Sequence, residues 1–185
     1  MNRRNIVFAL CAVLGFIADQ ATKAWIVSNV ALNTGEVPVI DGFFSLVHVK
    51  NPGALFGLGA DFAYGTVVFL IFTVVALFVI ADMFRRLPED DWFMASALGL
   101  VLSGALGNGL DRVRIGVVTD FLRFYSDDPS VIDFFAGLGL RAEYPSFNVA
   151  DMALVIGIGM FVIHYIFIER REEKASETAD AAAAE

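Results

Sequence analysis

Asp120 and Asp151 stand at the edges of membrane-length apolar stretches, in a chain that largely keeps its ionisable residues to loops and tails. A carboxylate near bilayer depth loses hydration worth several kcal/mol unless it is paired, so its presence there implies a task. Asp120 lies in Val117-Val118-Thr119-Asp120-Phe121, among β-branched and aromatic neighbours with no adjacent base, surroundings that favour a raised carboxyl pKa. Asp151 lies one turn inside the last apolar stretch, where a carboxylate complements the helix dipole. If the two acids meet, they cannot comfortably both ionise, and the pair holds one proton near neutral pH. Such a pair can hydrolyse an amide. One carboxylate takes a proton from water as it attacks the carbonyl, and the other donates to the developing oxyanion and then to the leaving nitrogen. No cofactor is needed for that chemistry.

Other polar residues gather around the same stretches. Asn148 and Asp151 lie three apart and share a helix face, with Asn148 also suited to cap the helix. Asn108, Asp111 and Arg112 project from one side if the third apolar helix continues that far, and Asp111 beside Arg112 and Arg114 reads as a salt-linked scaffold carboxylate. Asp19 and Lys23, four apart in the first stretch, read as a structural ion pair. Asn51-Pro52-Gly53-Ala54-Leu55-Phe56-Gly57 is either a turn entering the next helix or a grip on an extended peptide through Asn51 and Gly53; local chemistry favours the turn. No metal ligand set is assigned, because His48 and His164 fall on opposite membrane sides and no His/Cys spacing resembles one.

These residues must be positioned by a largely apolar chain. Of 185 residues 57% are hydrophobic and 18 are Phe, too apolar for one water-soluble domain. Four segments can cross a hydrocarbon core of ~30 Å: Ile6 to Val30, Ala63 to Phe84, Phe93 to Leu110 and Val149 to Ile168. Arg3 and Arg4, Arg85 and Arg86, and Arg170, Arg171 and Lys174 put both termini in the cytoplasm, leaving the loops 31–62 and 111–148 outside. Arg112, Arg114, Arg123 and Arg141 in the second loop run against that orientation unless acids such as Asp111 and Asp120 pair with some of them. Phe43 to Val49 is rich in β-formers, so a small extracytoplasmic antiparallel sheet is expected to roof the bundle. The fold class is thus an all-α membrane protein of four transmembrane helices plus that sheet, with residues 1–170 as the membrane domain and 171–185 as a disordered cytoplasmic tail. The single Cys11 allows no intramolecular disulfide, and no basic, aromatic-interleaved stripe suggests nucleic acid as a partner.

The blocks Asp19-Gln20-x-x-Lys23, Asn51-x-Gly53-Ala54-x-Phe56-Gly57, Gly107-Asn108-x-x-Asp111-Arg112-x-x-x-Gly116-x-Val118-x-Asp120-Phe121 and Phe147-Asn148-x-Ala150-Asp151, in this order, resemble the signal peptidase II family of bacterial membrane aspartyl proteases. The resemblance implies Asp120 and Asp151 as the catalytic dyad, with Asn51, Gly53, Asn108, Arg112 and Asn148 lining or bracing the substrate cleft and Asp19, Lys23 and Asp111 as structural or near-site groups. It further implies cleavage of prolipoproteins on the N-terminal side of a diacylglyceryl-modified cysteine, without cofactor, in the bacterial inner membrane near its outer face. Bilayer lipid and globomycin-type inhibitors are the other implied partners. The stretch Ser126 to Ser146 is longer than the family's usual connection and contains Val131-Ile132-Asp133-Phe134, a decoy rejected because only Asp120 keeps register with Asp111-Arg112. An outward helix or a flap over the cleft is expected there. The competing classes are a small transporter or proton-relay subunit, against which the lack of paired repeats counts, and a non-enzymatic assembly subunit packed through Gly and Ala faces.

Overall fold

The computed structural model describes residues 2–53 and 62–169. Among the described residues four helices are long and apolar enough to cross a membrane: α1 (Arg3–Asn29), α2 (Phe62–Arg86), α3 (Trp92–Ile115) and α5 (Val149–Ile163), the last extended by a π-helical turn, His164–Glu169. Between them lie strands β1 (Glu36–Ile40), β2 (Phe44–Asn51) and β3 (Val118–Phe124) and a short helix α4 (Pro129–Gly137). Among the residues expected in structured or tail segments, Ala54 to Gly57 and 171–185 lie outside the described residues.

Apolar content alone does not set the helix ends. Asp91 caps α3 by accepting from the Met94 amide at 2.9 Å, which satisfies one of the free N–H groups of a helix start. At its other end α3 runs past the apolar stretch through Asp111, Arg112 and Arg114, and stops only at Gly116. There φ is +76°, a left-handed cap that glycine enters without the Cβ penalty, and the Gly116 amide closes onto the Arg112 carbonyl.

Helix α3 is the hub of the bundle, packed against α1, α2 and α5 and lined with buried small residues. A Cβ on Gly104 would strike the Ala150 carbonyl oxygen of α5, and one on Gly107 would strike the Asp19 carboxylate of α1. Glycine at those two positions permits the backbone approach by which membrane helices associate. The outer faces of α1, α2 and α5 are bare: Leu14, Phe78 and Val155 are 60%, 74% and 72% exposed. Continuous apolar surface of that kind suits lipid and not water.

One end of the bundle gathers Arg4, which donates to the Leu87 carbonyl, and His164, whose Nε2 lies 3.0 Å from Asp91. The sheet covers the opposite end. It is antiparallel in the order β1-β2-β3, with Val49 facing Asp120 and Lys50 facing Thr119. The His48 Nδ1–H donates to the Val30 carbonyl at the end of α1, at 2.9 Å, and so fastens β2 to the helices. Ile26, Val30 and Phe121 form the buried apolar cluster beneath the sheet, with Leu46, Leu122 and Val149 packed on it.

After β3 the chain leaves on a short stalk closed by the Tyr125–Glu143 and Leu122–Phe147 bridges, with α4 between them. The expected outward helix is therefore present. Asp128 caps it, none of its residues is buried, and Asp133 is exposed on it, away from Asp120 in the buried part of β3. Asp111 and Asp120 lie within electrostatic reach of Arg112, but among the described residues neither forms an ion pair with an arginine of this loop. Arg123 pairs with Glu36 at 3.2 Å and Glu143 at 3.1 Å, and Arg141 pairs with Glu143 at 3.5 Å.

Candidate active site

Asp120 reaches the site from β3, in a run of four buried residues, and Asp151 from the first turn of α5. Asn148 joins them. Its side-chain oxygen accepts from the Asp151 amide at 3.0 Å while its own backbone N–H donates to Asp151 Oδ2 at 3.1 Å, a reciprocal capping box. Because the Asn148 oxygen is committed to that backbone amide, its Nδ2 is left to donate. It does so to Asp120 Oδ1 at 2.7 Å, and also to Asn108 Oδ1 at 3.1 Å. One fully buried amide therefore caps a helix and spans both acids, so the capping and bracing readings of Asn148 hold together.

The remaining carboxylate oxygens are served in the same way. Asn108 Nδ2 donates to Asp151 Oδ1 at 2.7 Å. Asn51 Nδ2 donates to Asp120 Oδ2 at 2.9 Å, and the orientation of that amide is set by the Gly53 N–H, which donates to Asn51 Oδ1 at 2.8 Å. Gly53 has φ of +76°, so the turn and the contact with Asp120 are one structure. Asp120 is only 2% exposed, and this burial pushes its carboxyl up to about 6. The hydrogen bonds from Asn51 and Asn148 and the charge of Lys23 oppose that rise, and the nearby charge of Asp151 adds to it.

Asp19, Lys23 and Asp111 lie directly beneath. The Lys23 ammonium sits 3.0 Å from Asp19 Oδ2 and 3.0 Å from Asp111 Oδ2, and donates to Asn108 Oδ1 at 2.9 Å. The salt partner of Asp111 is thus Lys23 and not its neighbours Arg112 and Arg114. Arg112 lies with its guanidinium 4.3 Å from the centre of the Phe69 ring and Arg114 is exposed, whereas Asp111 is buried toward α1.

The expected site residues Asn51, Asn108, Asn148, Asp120 and Asp151 are joined directly. Arg112 and Gly53 meet at Phe69, against which a Cβ on Gly53 would collide. Phe69 escaped the sequence reading, and Gln20 stood there only as part of the Asp19-Gln20-x-x-Lys23 block, without a role. Phe69 carries no signal in an apolar helix. Gln20 donates to Asp19 Oδ2 at 3.0 Å, to the Gly107 carbonyl at 3.3 Å and to Asp111 Oδ1 at 3.4 Å, and its signal was its place beside Asp19 in an apolar segment.

Comparison with known proteins covers most of the chain. A family model described as signal peptidase (SPase) II matches residues 11–167. The lipoprotein signal peptidase of Geobacter sulfurreducens is 43% identical over 161 residues, covering 86% of this chain and 92% of that protein. That of Syntrophus aciditrophicus is 36% identical over 177 residues, covering 95% and 100%. A solved bacterial membrane enzyme, determined by the in meso method at 1.9 Å, superimposes with a TM-score of 0.71 at 29% identity over 87% of this chain and 93% of its own.

Proposed function

The chain belongs to the signal peptidase II family, and we propose that it is a membrane aspartyl endopeptidase that removes signal peptides from lipid-modified prolipoproteins, cutting N-terminal to the diacylglyceryl cysteine. The observation that carries the aspartyl assignment is the amide web in which Asn148 and Asn108 tie Asp120 and Asp151 into one unit. Two acids joined through the same amides share a proton. It rests on Asp120, whose burial raises its pKa, and leaves Asp151 to accept a proton from the attacking water. Asp120 donates its proton to the oxyanion; Asp151 then passes the proton taken from water to the leaving nitrogen as the C–N bond breaks, and the collapsing diol returns a proton to Asp120.

Substrate orientation follows from where the pair sits. Asp151 is in the first turn of a membrane-length helix and Asp120 in the strand that covers that end of the bundle. A substrate anchored by acyl chains and an apolar signal helix presents its scissile bond at that depth, so the binding energy of remote lipid orients the cut. The arginine distribution supports an outer-face position for this end and cytoplasmic termini. A globomycin-type cyclic peptide would occupy the same cleft, against Asn51 and Arg112.

The test uses the full-length protein, purified in lipid or detergent, with a precursor whose cysteine carries or lacks the diacylglyceryl group. Wild type cleaves only the lipid-modified form, and Asp120→Asn and Asp151→Asn cleave neither while still inserting in the membrane. Processing of the lipidated precursor by either variant would remove the dyad. Equal cleavage of both precursors would remove the substrate assignment.

A further inference from the structure

Lys23 is only 4% exposed, and its three ammonium hydrogens are matched by three acceptors: Asp19 Oδ2, Asp111 Oδ2 and Asn108 Oδ1. Each acceptor belongs to a group that also holds the site. Asp19 Oδ1 accepts from the backbone N–H of Ala150 at 2.9 Å, one residue before Asp151. Asp111 Oδ2 accepts from the backbone N–H of Thr119 at 3.1 Å, one residue before Asp120. Asn108 donates to the Asp151 carboxylate itself, and its oxygen takes the second Asn148 contact.

We propose that Lys23 is a positioning residue for the hydrolysis: its ammonium is the hub of a three-armed bracket that fixes the spacing of Asp120 and Asp151 and the orientation of the Asn108 amide. The inference rests on the dyad reading given above. Two arms act on backbone, holding β3 and the first turn of α5 at a set separation from α1. The third acts on a side chain. With Lys23 and Asn148 both donating to Asn108 Oδ1, the Asn108 nitrogen faces Asp151 and a flipped amide would present oxygen to carboxylate and nitrogen to ammonium. Mere glue between α1 and α3 needs only one of these bonds. The geometry supplies all three, each ending within one residue of, or directly on, a dyad acid.

The experiment compares Lys23→Met, Lys23→Arg and the charge-neutral triple variant Asp19→Asn/Lys23→Met/Asp111→Asn with wild type, on the full chain and lipidated precursor, normalised to folded protein. Lys23→Met is expected to lower kcat by about 10²-fold, the cost of misplacing a reacting group by ~1 Å, with KM changed far less, and to alter the pH–rate profile. Lys23→Arg keeps the charge and is expected to recover part of kcat. The triple variant leaves no unpaired buried charge and retains acceptors for the Ala150 and Thr119 amides, so it restores folded yield but leaves kcat low and the profile altered. It also covers the case in which Lys23→Met fails to fold. Wild-type kcat and pH profile per folded molecule in either Met-containing variant would overturn the inference. Cleavage by Asp120→Asn in the same series would instead overturn the dyad reading, so the two failures are separable.

Discussion

Replacing Asn51 by Ala tests the electrostatics of the site through a limb position and not a rate. Burial places Asp120 at about 6, and on the proposed dyad the shared proton is lost as pH rises through that value. At pH 7 about a tenth of the molecules keep it, and kcat/KM should fall about tenfold per further pH unit. Asn51 donates to Asp120 Oδ2 at 2.9 Å and thereby favours the charged form. A hydrogen bond to a charged group is worth about 1.5–3 kcal/mol, equivalent to about 1–2 pKa units. Asn51 is itself exposed, so water replaces part of what is lost and the lower figure applies. The sign follows directly: without the donor the ionised carboxylate is less stable, the proton persists to higher pH, and the alkaline limb of kcat/KM moves up by about one pH unit. The assay is initial-rate cleavage of a fluorogenic lipopeptide from pH 5 to 9 in constant-ionic-strength buffer. Loosening of the Gly53 turn can lower the plateau, but it cannot move the limb upward. An unmoved or acid-shifted limb in a protein that keeps its thermal transition would refute the reasoning.

Other outcomes follow from packing and charge. Gly104→Val should destabilise the bundle by about 1–3 kcal/mol or prevent its accumulation, since the added carbons strike the Ala150 carbonyl, and a thermal melt in detergent reads it. Wild-type stability would mean that α3 and α5 are not in backbone contact. Arg123→Ala removes the links to Glu36 and Glu143 on a partly exposed surface, so the loss is expected to be about 1 kcal/mol or less and to shrink as salt is raised. A salt-independent loss would point to packing instead. Replacing residues 127–141 with a short Gly-Ser turn should leave the thermal transition within a few degrees of wild type, because α4 buries nothing and Ser126 already donates to the Ala142 carbonyl at 2.9 Å. A collapse in stability would show that α4 supports the fold.

The four spans were legible because length and hydropathy suffice to identify them. Their ends were less so: α3 continues to Ile115 because Asp111 is buried, Arg112 stacks on Phe69, Arg114 faces out, and the stop is Gly116. Of the sheet, only β2 could be read. Strand β1 contains Pro38 and is exposed throughout, so it carries no alternation, and β3 follows α3 so closely that its β-branched run Val117-Val118-Thr119 was taken as an environment for Asp120. In the site, the acids announced themselves by being ionisable beside apolar spans. What joins them did not. Asp111 was paired on paper with its chain neighbours, whereas burial turns it to Lys23 on another helix, and nothing local could reveal that choice.

On the proposed dyad, competence needs Asn148 and Asp151 at the start of α5, and so arrives only after α1, α2 and α3 have been made. While the first three spans are being threaded into the bilayer, Asp120 has no fellow acid and its bridging amide has not yet left the ribosome. On that reading the nascent chain is mute until α5 seats, so a chain interrupted before α5 yields an inert membrane fragment and not a misdirected hydrolase.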